Sequence, residues 1–329
     1  MPTLSPRAPF RQLTALALLC ATLAAACGGD GITRPDPGRL EVVTSDIGHF
    51  WAAYDAGGKN GTIAPFQSEY LDKASPGLRD FAAKKGVTAS SLAQMVTNYP
   101  LYFAAVRTPM MRLATDTTAT DSVRAALMRL REIYPAAHLT PVTLLVGRFN
   151  TGGTISNNGI LIGAEFYADA SVPRDELGSF ERTNVHGIDS LPFIVAHESV
   201  HIQQSYAGSV HGSGATLLEQ AFMEGSADFV GELASHGNIN AWLQPWALPR
   251  EAQLWAEFKL AMDGTDWSQW LYNQNTATVD RPGDLGYFIG YRIAKSYYDA
   301  QTDKAAAVRE IIGARDAKGF LAKSGYDPK

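Results

Sequence analysis

Two histidines four residues apart frame the segment His197-Glu198-Ser199-Val200-His201. On a helix this spacing sets both imidazoles on one face, one turn apart, where a single tetrahedral zinc takes both. Glu198 then faces the open side of the metal, where a carboxylate receives the proton of an activated water. Composition alone produces His-Glu-x-x-His in roughly 0.5% of such chains, so the motif needs context. The context is apolar: Phe193, Ile194, Val195, Ala196, Val200 and Ile202 surround it. Two histidines and a glutamate among such neighbours are costly unless something satisfies them. A catalytic zinc also needs a third protein ligand and an open fourth position. Met223-Glu224-Gly225-Ser226-Ala227-Asp228-Phe229 offers Glu224 as that ligand, with Asp228 one turn further along the same face. Asp228 is suited to accept the distal N–H of a ligand histidine and so fix its tautomer. Gly225 and Ala227 are small enough for this segment to approach the first closely. His49, His138, His186 and His236 show no ligand spacing and read as structural or surface residues.

These residues need helices, and the chain supplies the signals. One helix is expected from about Ser190 to Ser205, with Asp189 or Ser190 as cap and Pro192 tolerated in the first turn. A second starts at Thr216-Leu217-Leu218-Glu219, which has capping-box spacing, and runs to about Ser235 with Gly237 as a stop. A last clear helix covers roughly Leu285 to Ala300, and Trp242 to Trp270 is aromatic-rich with at least one helix. Before the motif the period changes. Val142 to Gly147 and Ile160 to Tyr167 read as strands, with turn signals at Gly152-Gly153 and Asn157-Asn158-Gly159. From Val42 to about His138 the pattern is helical. Ile47, Phe50, Trp51 and Tyr54 form one core stripe, and Leu92, Met95, Val96, Tyr99 and Phe103 form another. A third holds Val123, Leu127, Leu130 and Tyr134, after a cap at Thr120 or Asp121. The expected fold is α+β and mainly helical. A helical part spans 41–140. A small mixed sheet and the zinc-binding helices fill 141–329, and 41–329 forms a single domain.

The N-terminus reads as an address. Arg7 and Arg11 precede an uncharged apolar run from Leu13 to Ala26, too short for a comfortable membrane span. It ends Leu23-Ala24-Ala25-Ala26-Cys27, which resembles a bacterial lipobox, although Leu23 sits one place further from the cysteine than the commonest pattern. Residues 1–26 are then a signal peptide, Cys27 carries lipid, and 27–40 is a flexible tether. An ordinary secretory signal cleaved nearby is the alternative. Both send the protein out of the cytoplasm, and lipidation implies anchoring in the cell envelope. Only Cys20 and Cys27 exist, which excludes a disulfide framework, a cysteine protease and a cysteine-type zinc finger. Loss of Arg7 and Arg11 leaves 26 basic against 33 acidic residues, a net charge of −7, which argues against nucleic acid and against a polybasic membrane patch.

His-Glu-x-x-His, followed 23 residues later by Glu224 and then Asp228, resembles the gluzincin metallopeptidases. More closely, the chain is similar to a bacterial family of predicted zinc-dependent proteases with relatives among gliding-motility lipoproteins. The likeness runs through Phe50 to Asp55, Gly152-Gly153-Thr154, Gly159 to Glu165, both zinc motifs and Gly286 to Tyr291. It implies a Zn2+ cofactor on His197, His201 and Glu224, and Glu198 as general base and acid. It places Asp228 behind the ligands, and implies a Tyr or His donor for the developing oxyanion. Tyr287 and Tyr291, four apart, are the first candidates for that donor, with Tyr206 and His211 as rivals. In gluzincins an edge strand beside the site binds extended substrate. A glutamate there can bind a free N-terminus in aminopeptidases, a part open to Glu165. The implied function is hydrolysis of a peptide or protein substrate. A non-catalytic envelope lipoprotein serving as a binding or assembly module is the competing reading.

Overall fold

The computed structural model describes residues 40–208, 214–278 and 280–329, without the side chain of Tyr206. The proposed signal segment, Cys27, the tether up to residue 39, His211 and the Tyr206 side chain lie outside the described residues. The fold is α+β and mainly helical, as expected from the sequence. After a two-residue strand β1 (Val42–Val43) come helices α1 (Ser45–Asp55), α2 (Pro76–Lys85), α3 (Ala89–Asn98), α4 (Pro100–Thr115) and α5 (Thr117–Ile133). Strands β2 (Val142–Leu145), β3 (Gly153–Ser156) and β4 (Gly159–Gly163) follow. Helices α6 (Ser179–Asn184), α7 (Leu191–Ala207), α8 (Leu217–Ser235), α9 (Gln244–Ala247), α10 (Glu251–Ala261), α11 (Leu285–Ala300), α12 (Lys304–Gly313) and α13 (Ala317–Ser324) complete the described chain.

The sheet order is β1-β2-β4-β3, with β1, β2 and β4 parallel and β3 antiparallel at the edge. Every residue of β2 and β4 is buried. A strand covered on both faces reads as a continuous apolar run, so the short aliphatic runs and their flanking turn signals located these two. Asn157 and Asn158 form the two-residue connection that pairs Ser156 with Gly159. Gly153, expected to belong to a turn, opens β3 instead. Val42 and Val43, expected to begin a helical region, pair with Val142 and Thr143.

Other local expectations shift for identifiable reasons. The stripe from Leu92 to Phe103 is split at Tyr99, because Pro100 starts a new helix. The cap of α5 is Asp116, whose carboxylate accepts the Thr118 N–H at 2.9 Å, so Thr120 and Asp121 fall inside the helix. Helix α8 starts with the expected Thr216–Glu219 capping box, worth about 1 kcal/mol. It ends at Ser235, as expected, but the left-handed cap is His236 at φ 63° rather than Gly237. The strand expected to reach Tyr167 ends at Gly163 and gives way to a 3-10 turn over Ala164–Phe166. Two further helices, α12 and α13, follow the one expected to be last.

Among the described residues there are two apolar cores. One joins α1 to α5 with the sheet; the other gathers around α8 and α10 to α13. Helix α7 belongs to both: Leu191, Val195 and Ile202 enter the first core, while Ala196 and Val200 enter the second. That position explains why α7 is apolar on nearly every face, a pattern that a helix buried all round requires.

Candidate metal centre and cleft

Helices α7 and α8 bring His197, His201 and Glu224 together, with one ligand atom from each lying within 4.8 Å of the others. The two Nε2 atoms are 3.0 Å apart, and Glu224 Oε2 lies 3.2 Å from that of His201 and 3.4 Å from that of His197. The distal ring atoms are already engaged. His197 Nδ1 donates to Asp228 Oδ1 at 2.8 Å, since a carboxylate only accepts. Asp228 Oδ2 in turn accepts from Asn240 Nδ2 at 3.0 Å. His201 Nδ1 donates to Gln204 Oε1 at 2.8 Å. The Gln204 amide is oriented by its Nε2, which donates to the Met223 carbonyl and to Ser226 Oγ. Both Nε2 atoms therefore turn lone pairs toward a carboxylate oxygen. Three converging acceptors repel one another unless a cation sits between them. A tetrahedral zinc with ligands at about 2.0–2.1 Å sets its ligand atoms roughly 3.3 Å apart. The observed separations and the donor set fit that ion.

Electrostatics agree. Burial opposes the charged form of His197, yet Asp228 and Glu224 outweigh it and raise its pKa well above the usual histidine value. Burial opposes ionised Glu224 as well, and His201 and His197 still hold it well below the usual carboxylate range. The cluster is built to hold positive charge.

Close helix packing makes this geometry possible. A Cβ on Gly290 of α11 would lie 1.8 Å from the Ala221 carbonyl of α8, and one on Gly225 would lie 2.1 Å from Tyr291 N. Only glycine lets these backbones touch, and the contact lies at the turn that carries Glu224.

The cluster opens into a cleft of about 760 Å³. Glu198 lines it and makes no hydrogen bond or salt bridge among the described residues. Its carboxylate lies against the edge strand, where a Cβ on Gly153 would meet Oε1 at 2.9 Å. Tyr287 also lines the cleft, its ring nearly parallel to that of His197 at 6.3 Å between centroids. Burial, then the charge of Glu224, raises its pKa well above the usual tyrosine value, so the hydroxyl keeps its proton as a donor.

Tyr291 is not brought to the cleft. One turn further along α11, it packs edge-on against Phe229 at 5.5 Å and pairs with Glu232. The i,i+4 spacing gave it the same face as Tyr287 but not the same level. Glu165 is likewise absent from the cleft. Its carboxylate is fully buried and accepts N–H bonds from Gly147 at 2.9 Å and Phe149 at 3.2 Å. No free N-terminus reaches it there, which removes the residue on which the aminopeptidase reading rested. Of the five tryptophans between 242 and 270, Trp255 and Trp270 are core, while Trp242 is 39% exposed and lines the cleft.

Several cleft residues carry no sequence signal. Tyr272, from the loop before α11, donates its hydroxyl to Glu224 Oε1 at 2.5 Å and accepts from Gln220 Nε2 at 2.5 Å. Gln204 and Asn240 hold the ligand system from behind. His186 lines the wall, and burial pushes its pKa down to about 4, so it is a neutral imidazole.

Residues 169–313 match the model of a family described as Predicted Zn-dependent protease (DUF2268). The matched span holds both ligand helices and α11, which supports a zinc-protease family for this part of the chain. No curated protein and no solved structure matches the chain.

Proposed function

We propose that this protein is a zinc-dependent peptidase of gluzincin type, acting on a peptide or protein substrate. The observation that carries the reading is the convergence of three lone-pair atoms at zinc-ligand separations, beside an unpartnered Glu198 in an open cleft. When bound, zinc supplies Lewis acidity to the scissile carbonyl and to the attacking water. His197, His201 and Glu224 hold it. Asp228 and Gln204 keep the imidazole protons on Nδ1, so that both Nε2 atoms can serve as ligand atoms. Glu198 takes the proton of the attacking water and passes it to the leaving amine. Tyr287 donates its hydroxyl to the oxygen on which charge develops.

The cell envelope is the proposed site of action, on a lipid carried by Cys27. The lipobox-like segment ending at Cys27 supports that placement.

Metal analysis and turnover of the Glu198→Gln variant test the chemistry. The variant should bind zinc like the wild type while peptide cleavage falls by about 10²–10⁴-fold. Cleavage at the wild-type rate would sink the mechanism. Bound zinc with no cleavage of any peptide by the wild type would favour the binding module instead.

A further inference from the structure

The cleft has one cationic side chain whose role the proposed chemistry does not use. Among the described residues that line it, Lys85 is the single Lys or Arg, in a chain whose formal net charge is −5. Lys85 ends α2, and its backbone is committed. Its carbonyl accepts from Arg148 Nε and from Asn150 Nδ2, both at 3.0 Å, which ties the loop between β2 and β3 to the end of α2. The side chain is not committed. Nζ makes no hydrogen bond or salt bridge among the described residues. The neighbouring Lys84 is spent differently, donating to the Ile155 carbonyl on the edge strand at 2.8 Å. Lys85 is half-buried, and burial lowers its pKa, followed by the charge of Lys84. Glu198 works the other way, so the two groups are close enough to interact. A partly desolvated ammonium with no direct hydrogen bond or salt bridge among the described residues is an arrangement that an incoming anion would improve.

We propose that Lys85 forms a substrate subsite that takes a carboxylate of the peptide, either its C-terminal carboxylate or an acidic side chain within a few residues of the scissile bond. This rests on the peptidase reading and deepens it by naming a substrate class. The surroundings suit a peptide. Asn150, Thr151 and Thr154 line the same wall beside the edge strand, and Phe149 adds an apolar surface. A strongly hydrated point charge on a flexible stem suits a carboxylate whose direction of approach is set by other contacts.

The test uses the zinc-loaded mature protein and matched peptides drawn from one defined library. Each parent peptide is paired with its C-terminal amide and with its Asp→Asn or Glu→Gln counterpart. In the wild type, neutralising the recognised carboxylate should raise KM about ten- to a hundredfold with kcat little changed. The amide arm reads the terminal carboxylate, and the Asn and Gln arm reads the side chain. Lys85→Gln should abolish the preference, Lys85→Arg should retain most of it, and Lys85→Glu should reverse it toward neutral or basic peptides. Calorimetry of the same peptides on zinc-loaded Glu198→Gln protein reads binding without turnover. Cleavage with equal KM for charged and neutral members overturns the subsite and leaves the peptidase standing. Lys85-dependent binding without any cleavage overturns the peptidase and leaves the subsite standing. Neither cleavage nor binding overturns both.

Discussion

Tyr272 holds Glu224 by the oxygen that faces away from the histidines: its hydroxyl donates to Oε1 at 2.5 Å, while Oε2 points at both imidazoles. The carboxylate is thus fixed about its own axis before any ion arrives. Tyr272 is 54% exposed and adopts φ 55°, a strained backbone for a tyrosine, so packing alone does not explain its position. Tyr272→Phe should weaken zinc binding about tenfold while leaving the thermal midpoint of the metal-free protein unchanged. Competition with a chromophoric chelator measures the first and calorimetry the second. Unaltered zinc affinity would remove this role from Tyr272.

The two tyrosines of α11 should separate cleanly. Tyr287→Phe removes a donor in the cleft, and kcat should fall about 10²-fold with zinc content and KM nearly unchanged. Tyr291→Phe removes a hydroxyl paired with Glu232, and should cost about 1 kcal/mol of stability with little change in kcat. Equal kinetic effects from both variants would contradict the assignment.

Gly290→Ala tests the close crossing of α8 and α11. The added methyl meets the Ala221 carbonyl at 1.8 Å and Gly225 Cα at 3.1 Å, and backbone cannot step aside. A loss of about 2–3 kcal/mol in denaturant unfolding is expected. Zinc affinity should fall with it, because Ala221 lies one turn before Glu224. Wild-type stability in this variant would mean that the helices part without penalty.

Glu165 should make stability depend on pH in an unusual direction. Burial raises its pKa from 4.5 to about 7, against the pull of N–H bonds from Gly147 and Phe149. Below 4.5 the folded and unfolded chains both hold the proton. Between 4.5 and 7 the unfolded chain releases it and the folded chain keeps it, so stability falls as pH rises and levels off above about 7. Relative to Glu165→Gln, the wild type should lose about 2–3 kcal/mol between pH 5 and pH 8. Urea unfolding of both proteins at the two pH values measures this, and parallel curves would refute it.

What the sequence made legible follows from how far each signal reaches along the chain. His197, His201, Glu224 and Asp228 lie on two helices, so a spacing of four announces each pair. The Thr216 cap and the buried β2 and β4 are equally local signals. Tyr272 and Asn240 reach the ligand cluster from other elements, while Gln204 on α7 and Gln220 on α8 are unmarked among ordinary polar residues. Lys85 and His186 enter the cleft through tertiary folding alone. Strand β1 is two residues long, and β3, mostly half-buried, offers neither a continuous apolar run nor a clean alternation. Glu165 misled because Gly159 to Gly163 is a genuine strand, and nothing in the sequence marks its end two residues before the glutamate. Tyr291 misled because helical spacing reports the face of a residue and not its depth along a cleft.

Helix α7 is shared by both apolar cores, and this divides the protein into parts that evolution can change at very different cost. Amide hydrogens around His197 should exchange only through global unfolding, the slowest class in the molecule. The cleft rim is different: the β2–β3 loop, Trp242 and the segment around Tyr272 rest mainly on one core or neither. Insertions and substitutions there can retune what is recognised while the histidine pair keeps its spacing. Divergence among proteins that share this architecture should therefore concentrate at the rim and leave the wedge between the cores nearly constant.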